Sequence, residues 1–195
     1  MKKAFLFLMM AVAATFAKAD FVAEVDSNAN VMRIEVLPTT DLTKVPVRVS
    51  MTNVLPITCV QCFITTPDST DLFFYLDDME ASKDSTKISS HRAVAYTPSE
   101  RWAHTHQPML SWNTASCRNA MMILIASPQN ENFAGNDGSL VTVYMNVTTL
   151  PDGEYTIKMV GANMAWTDNR NIKAFYSPDS EVKFALKERQ LTIGN

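Results

Sequence analysis

The chain has 195 residues, of which 47% are hydrophobic and 19% are charged, a composition that indicates a folded globular protein and excludes a collagen or a coiled coil. Three of its 17 basic residues lie within the first 19 positions, and the rest of the chain carries an excess of acid, so a nucleic-acid partner is not expected. With five glycines and no GxGxxG or GxxxxGK[ST] pattern, the chain also lacks the usual signatures of nucleotide binding.

The first 19 residues have the three parts of an export signal. A positively charged start, Met1-Lys2-Lys3, precedes an apolar run over residues 4–16 and the small-x-small pattern Ala17-Lys18-Ala19. The apolar run is shorter than the roughly 20 residues that cross a bilayer, and Asp20 stands where a lipoprotein would have cysteine. We therefore predict a signal peptide over 1–19 and a single domain over 20–195, without membrane insertion, in the periplasm or outside the cell.

Apolar and polar residues alternate along much of the remaining chain, as they do in strands with one buried face. In chain order, these segments are 31–36, 45–51, 141–147, 155–159 and 182–186. The continuous apolar run 121–126 is typical of a central strand covered on both faces, with a short buried helix as the alternative. Parallel strands need long crossovers that this pattern does not supply, so we predict an all-β fold, an antiparallel two-sheet β-sandwich. Its predicted core contains Val47, Val49, Val60, Ile64, Val143, Met145, Tyr155 and Ile157.

The segment 67–118 interrupts the alternation with acidic and Ser/Thr-rich stretches, and irregular surface segments commonly carry binding sites. Two tryptophans fall in it, Trp102 and Trp112, together with Arg101, His104 and His106. An indole on a loop offers a flat face to a sugar ring or an anchor to a protein. We interpret these five residues as candidate ligand-binding residues; the alternative is that both indoles cap the end of the core.

The two histidines also raise the possibility of a metal. If His104-Thr105-His106 lay on a strand, both imidazoles would project from one face. Zinc catalysis typically uses three protein ligands, and the only other histidine is His91, while Glu100 is a conceivable base. A secreted metal-dependent hydrolase using His104 and His106 is therefore the alternative function, whereas ordinary hydrogen-bonded histidines, with no catalytic residue, metal or cofactor, are the expected outcome.

Four stretches, taken in order, resemble the cohesin-like β-sandwich modules of exported bacterial proteins, which are related to carbohydrate-binding modules. They are VPVRVSMTN (45–53), ITCVQCFITTP (57–67), ILIASPQNENFAGNDG (123–138) with the strand after it, and DGEYTIKM (152–159). The resemblance implies a nine-stranded cohesin-like jelly roll that is not an enzyme. It also implies a binding or adhesion role, with a glycan or a protein as the ligand.

The three cysteines permit one disulfide in an exported chain. Cys59 and Cys62 have the spacing of thiol oxidoreductases, but residues three apart on a strand face opposite ways, which argues against a redox pair. The resemblance implies that Cys62 points into the core and Cys59 points outward. A bridge between Cys59 and Cys117 is therefore the expected disulfide if Arg118 and its neighbours lie against the outer face of the strand that contains Cys59.

Overall fold

The computed structural model describes residues 29–66, 73–74, 94–114, 117–168 and 171–194. The predicted signal peptide and its cleavage site lie outside these residues, as does His91. The described residues form twelve strands and no helix, which confirms the all-β prediction. The run 121–126 belongs to a strand, so the alternative of a short buried helix is wrong.

The strands are short and follow one another through turns and loops. Their bounds are β1 Val31–Val36, β2 Val45–Thr52, β3 Cys59–Thr65, β4 Phe73–Phe74, β5 Tyr96–Pro98, β6 Gln107–Thr114, β7 Cys117–Ala126, β8 Ser139–Asn146, β9 Gly153–Asp168, β10 Asn171–Tyr176, β11 Ser180–Lys187 and β12 Gln190–Ile193. The resemblance implied nine strands. The additional ones include β10 and β12, each of which folds back on the preceding strand as a hairpin.

Two antiparallel sheets make up the sandwich. The five-stranded sheet has the order β1-β2-β8-β4, and β5 also pairs with β8. The seven-stranded sheet has the order β12-β11-β9-β3-β7-β6, and β10 also pairs with β9. The strand order of the two sheets and the antiparallel pairing of neighbouring strands confirm the predicted two-sheet jelly-roll sandwich.

Alternate residues of both sheets meet in one core. In β2 the residues Val45, Val47 and Val49 are fully buried between polar neighbours, as the period of two predicts. All the predicted core residues are fully buried except Tyr155, which is half-buried and stacks on Phe184 with 5.4 Å between ring centroids. Each large side chain buried in this way contributes roughly 1.5 to 3 kcal/mol.

A β-bulge in β9 keeps this long strand in register with the core. Gly161 has a φ of +58°, a conformation that side chains other than glycine rarely adopt, and the pairing of β3 with β9 shifts at this point. Met159 before the bulge and Ala162 after it both reach the core. The extra residue therefore preserves the inward and outward alternation on both sides of the bulge.

Loops leave the sandwich at two ends. At the end that we name the closed end, segments 53–58, 99–106 and 127–138 are joined by backbone hydrogen bonds, among them Phe133 N–H to Ile57 O and Ala134 N–H to Arg101 O. At the open end, segments 37–44 and 147–152 meet the two-residue turn 188–189 of the β11–β12 hairpin.

Candidate functional site

Arg101 is buried at the closed end and holds loops together. Only 8% of it is exposed, and its five N–H donors make five hydrogen bonds of 2.6 to 3.3 Å. The acceptors are the backbone oxygens of Met51, Ala134, Gly135 and Gly138 and the side-chain Oδ1 of Asn53. Burial lowers the pKa of the guanidinium, and the Asp137 carboxylate partly opposes that shift. Since every donor is engaged within the protein, Arg101 serves the fold and offers nothing to a ligand.

The two tryptophans do not form a common surface. Trp112 lies in β6, is 7% exposed and belongs to the core. Trp102 is half-buried, donates its indole N–H to the Leu140 carbonyl at 2.7 Å and stacks on Tyr96 at 5.9 Å. Trp112 therefore follows the alternative in which the indole packs against the core, while Trp102 keeps part of its surface accessible.

The two histidines point into different environments. They lie in a turn before β6 rather than on a strand, so the same-face geometry does not arise. His106 is 7% exposed, accepts a hydrogen bond from the Ala103 N–H through Nδ1 at 2.8 Å and stacks on Phe133 at 4.0 Å. Burial lowers its pKa. His104 is exposed, with Nδ1 3.4 Å from Glu131 Oε2.

This geometry gives no support to a catalytic metal. Among the residues that the structure describes, no three His, Cys, Asp or Glu side chains come together in a way that could hold an ion. Nδ1 of His106 is already an acceptor within the protein, and catalytic zinc usually needs three protein ligands. The closed end therefore brings together Arg101, Trp102 and His106 as a packed structural unit, while His104 of the same segment is exposed.

The cysteines correct the disulfide prediction. Cys62 is in the main core, while Cys59 lies on the opposite face of β3, as expected, but is 6% exposed and free. Cys59 pairs with Ala126, and Cys117 stands nine positions earlier in the same strand, about 30 Å away at 3.3 Å per residue. A bridge needs Cα atoms within about 7 Å, so the Cys59–Cys117 bridge is wrong.

Burial also makes both described thiols unreactive. It raises the pKa of Cys59 to about 12 and that of Cys62 to about 12, and the thiolate is the reactive form of cysteine. These two cysteines are packing residues, which agrees with the argument against a redox pair.

The feature that the sequence analysis missed is one part of the outer face of the seven-stranded sheet, next to the exposed Lys158–Glu181 pair. The pairing places side chains of β10, β9, β3, β7 and β6 in three rows on this face. The rows are Tyr176, Asn163, Gln61, Leu124 and Met109; then Ala174, Ala165, Cys59, Ala126 and Gln107; then Val160, Phe63, Met122 and Ser111. None of these residues carries a charge. We name these three rows the uncharged face.

Several large apolar side chains of the uncharged face remain in contact with solvent. Phe63, Met109, Met122 and Val160 are half-buried, and Tyr176 is 51% exposed. Leu124, by contrast, is 3% exposed because its neighbours on the sheet cover it, and it forms a small second cluster with Cys59. The face is therefore a continuous apolar floor with partly accessible aromatic and methionine side chains.

The outer face of the five-stranded sheet has the opposite character. Arg33 lies beside Thr52 and donates to it at 3.1 Å, and Arg48 pairs with Glu35 at 2.9 Å. A sheet face with alternating charges of both signs is a well-solvated surface. The three rows of the uncharged face thus differ in charge from the outer face of the five-stranded sheet, whereas the next row of the seven-stranded sheet carries the exposed Lys158–Glu181 ion pair.

A sequence signal for the uncharged face existed in the outward positions of the strands. The sequence neighbours of Met109 and Met122 face inward, so the two methionines themselves face outward. In a strand with a solvated outer face, such outward positions carry polar side chains. The apolar run 121–126 predicts a central strand covered on both faces. The strand is central, but its outer side is only partly covered, since Met122 is half-buried. Only the pairing of five strands shows that their outward residues form one surface.

Comparison of the structure with solved structures identifies the fold. It is similar to the seventh ScaB type I cohesin of Pseudobacteroides cellulosolvens, with a TM-score of 0.51 and 9% identity over 77% of this chain and 90% of that one. It is also similar to the second type II cohesin of the adaptor ScaA scaffoldin of Acetivibrio cellulolyticus, with a TM-score of 0.50 and 9% identity over 78% and 94%. These similarities confirm the cohesin-like sandwich that the sequence resemblance implied.

A further solved structure has a TM-score of 0.47 and 10% identity over 77% of this chain and 99% of that one. It is the sixth cohesin of scaffoldin B from Acetivibrio cellulolyticus, in complex with a Cel5 dockerin. No protein-family model matches this chain, and no curated protein matches it by sequence. Across its described ranges the chain contains no helix long and apolar enough to cross a membrane.

Proposed function

We propose that this chain is a non-catalytic binding module that holds a protein partner against the uncharged face of the seven-stranded sheet. The observation that carries the proposal is the combination of Phe63, Met109, Met122, Val160 and Tyr176 on one face without a charge among them. Centres of protein interfaces are depleted of charge and enriched in aromatic residues and methionine. Exposed apolar patches bordered by polar residues commonly mark such sites.

The shape of the face favours a protein over a small molecule. Five strands spaced about 4.8 Å apart form a surface roughly 20 Å across, whereas small-molecule sites are concave. A partner that covers Met122 and Phe63 would remove from water side chains that the isolated module leaves half-exposed. This burial supplies the hydrophobic contribution to affinity.

A glycan ligand and a hydrolase receive less support. Sugar rings stack on accessible aromatic faces, but Trp112 is in the core and Trp102 is engaged with Tyr96 and Leu140. A hydrolase would need the metal or the nucleophile that the closed end does not assemble. The proposal also includes export through the predicted signal peptide over 1–19, which would bring the module to partners in the periplasm or outside the cell.

Site-specific photo-crosslinking tests the proposal. Two forms of the mature protein would each carry a photo-crosslinking amino acid, one at position 122 on the uncharged face and one at position 142 on the outer face of the five-stranded sheet. Each form would be irradiated in an extract of exported proteins from the source of the protein. Proteins captured only from position 122 would be identified by mass spectrometry, purified and titrated by calorimetry against the wild-type module. A saturable complex is the expected result.

Matched charge variants then locate the contact. Met122→Glu places a charge in the middle of the uncharged face, whereas Thr142→Glu places one beside Arg48 on the other sheet. Because a buried unpaired charge is costly in an interface, we expect Met122→Glu to weaken the complex at least about tenfold and Thr142→Glu to leave it unchanged. Equal affinities for the two variants, or no saturable binding of any captured protein, would overturn the proposal.

A further inference from the structure

The open end of the sandwich contains a cavity of about 410 Å³. Three loops far apart in the chain form its walls: segment 37–44, segment 147–152 and the turn of the β11–β12 hairpin. Four of the lining residues are apolar, namely Leu42, Val147, Leu150 and Leu186, and of these Leu42 and Leu150 are the partly accessible ones. A concave site of this size that combines apolar side chains with a few polar and charged ones is typical of small-molecule binding.

Two carboxylates line the cavity, and each uses only one oxygen within the described protein. Oδ1 of Asp41 accepts both the backbone N–H and the hydroxyl of Thr43, at 2.9 and 2.6 Å. These hydrogen bonds lower the pKa of Asp41 and keep it ionised. Oδ2 of Asp152 accepts the Glu188 N–H at 2.9 Å. The second oxygen of each carboxylate is therefore available to a ligand.

The opposite charge comes from Arg189, which also lines the cavity. Within the described residues its guanidinium makes no hydrogen bond or ion pair, so more than 4.0 Å separates it from the carboxylates of Asp41 and Asp152. Oppositely charged groups that share a cavity without touching can be bridged by a molecule that carries both charges.

The backbone that presents Arg189 is strained. Glu188 and Arg189 have φ values of +49° and +60°, the left-handed conformations of a two-residue hairpin turn that normally contains Asn-Gly. For other residues such conformations cost of order 1 kcal/mol each. Strain of this kind concentrates at functional sites, and here it places a charged side chain in the wall of a cavity.

We propose that this cavity binds a small zwitterion with an apolar body, of the class of the free aliphatic α-amino acids. The ligand carboxylate would pair with Arg189, its ammonium with the free oxygens of Asp41 and Asp152, and its side chain would cover the partly exposed Leu42 and Leu150. Arginine suits a carboxylate because its guanidinium can form two parallel hydrogen bonds to it. The site lies away from the uncharged face and does not depend on the proposed protein partner.

Three probes of one shape test the charge requirement by calorimetric titration of the mature protein. L-leucine carries both charges, L-leucinamide lacks the carboxylate, and 4-methylpentanoate lacks the ammonium. We expect L-leucine to bind saturably and each of the other two to bind at least about tenfold more weakly, because each loses one charge-assisted contact. No saturable binding of L-leucine, or equal binding of L-leucine and L-leucinamide, would overturn the proposal.

Variants then test the residues. Arg189→Gln and Asp152→Asn remove a charge but keep a polar side chain, and Asp152→Asn still offers an oxygen to the Glu188 N–H. We expect both to weaken L-leucine binding about tenfold or more, while the exposed control Arg48→Gln leaves it unchanged. Wild-type affinity in Arg189→Gln would overturn the proposal.

A further variant separates ligand binding from stability. Arg189→Gly relieves the left-handed strain, so it should raise the melting temperature while it removes L-leucine binding. A purely structural Arg189 would not show these opposite changes. Full L-leucine binding by Arg189→Gly would contradict the proposed role of its side chain.

Discussion

The two ends of the sandwich use their polar groups in opposite ways. At the closed end, Arg101 gives all five of its donors to oxygens of the protein, Trp102 donates to the Leu140 carbonyl in β8, and His106 accepts from the Ala103 N–H. At the open end, Arg189 makes no such bond within the described residues, although it lines a cavity with two carboxylates. The same residue type thus has a structural role at one end and remains available to a ligand at the other.

This difference shows that the chemical type of a residue does not establish its role. In a sequence, aromatic, histidine and arginine side chains in an irregular segment suggest a binding site. At the closed end, Arg101, Trp102 and His106 instead hold loops in place through hydrogen bonds and packing. What distinguishes the two arginines is whether the donors of the guanidinium have partners among the described residues. Substitutions that remove these partners should therefore affect the two ends in different ways.

The largest effect is expected for Arg101→Met. This substitution leaves the carbonyl of Met51 and the side-chain oxygen of Asn53 without the Arg101 donor in a buried place, and each such group costs about 1 to 3 kcal/mol. We expect the free energy of unfolding to fall by about 3 kcal/mol or more, measured by urea denaturation. The control Arg48→Met removes only the exposed ion pair with Glu35 and should cost less than about 1 kcal/mol. Similar losses for both variants would show that the hydrogen bonds of Arg101 do not support the closed end.

A smaller effect is expected from the titration of His106. Burial lowers its pKa in the folded protein below the ordinary value of 6.5, so as the pH falls below about 6.5 the unfolded chain takes up a proton before the folded one does. The free energy of unfolding should therefore decrease from about pH 6.5 down to the lowered pKa and show no contribution from His106 above that range. Melting temperatures measured between about pH 7.5 and pH 5 test this expectation.

Two substitutions isolate the contribution of His106. His106→Asn keeps a side-chain oxygen that can accept the Ala103 N–H but cannot titrate, so it should flatten the decrease in melting temperature on acidification. His104→Gln removes an exposed imidazole and should leave the decrease as it is. If the His106→Asn variant retains the full pH dependence, another group is responsible for it.

The smallest effect is expected at the open end. Glu188→Asn keeps the hairpin and leaves Arg189 in place, and asparagine tolerates the left-handed conformation better than glutamate does. We expect the free energy of unfolding to rise by about 0.5 to 1 kcal/mol, measured by urea denaturation. The variant should bind L-leucine with the wild-type affinity. A loss of stability would show that the turn is not strained in the way that its φ values indicate.

The fold was largely predictable and the candidate sites were not. Alternation identified β2 and β8 and their inward residues, such as Val47 and Val143, because burial of one face of a sheet imposes a period of two. The roles of Arg101 and Trp112 could not be inferred in this way, because they depend on where loops and strands from distant parts of the chain lie. The Cys59–Cys117 bridge is wrong for the same reason: the register of β3 on β7 separates residues that look compatible in the sequence.

The sequence by itself determined the all-β class, the antiparallel sandwich and most of its core, since these follow from hydrophobic periodicity and from the absence of helical connections. It also carried the resemblance to cohesin-like modules. Only the tertiary structure decided which outward residues of β6, β7, β3, β9 and β10 form one uncharged face, and which loops close or open an end. The physical reason is that a local pattern records only whether a residue faces inward or outward. A surface or a cavity is formed by strands and loops whose proximity depends on the pairing of the whole chain.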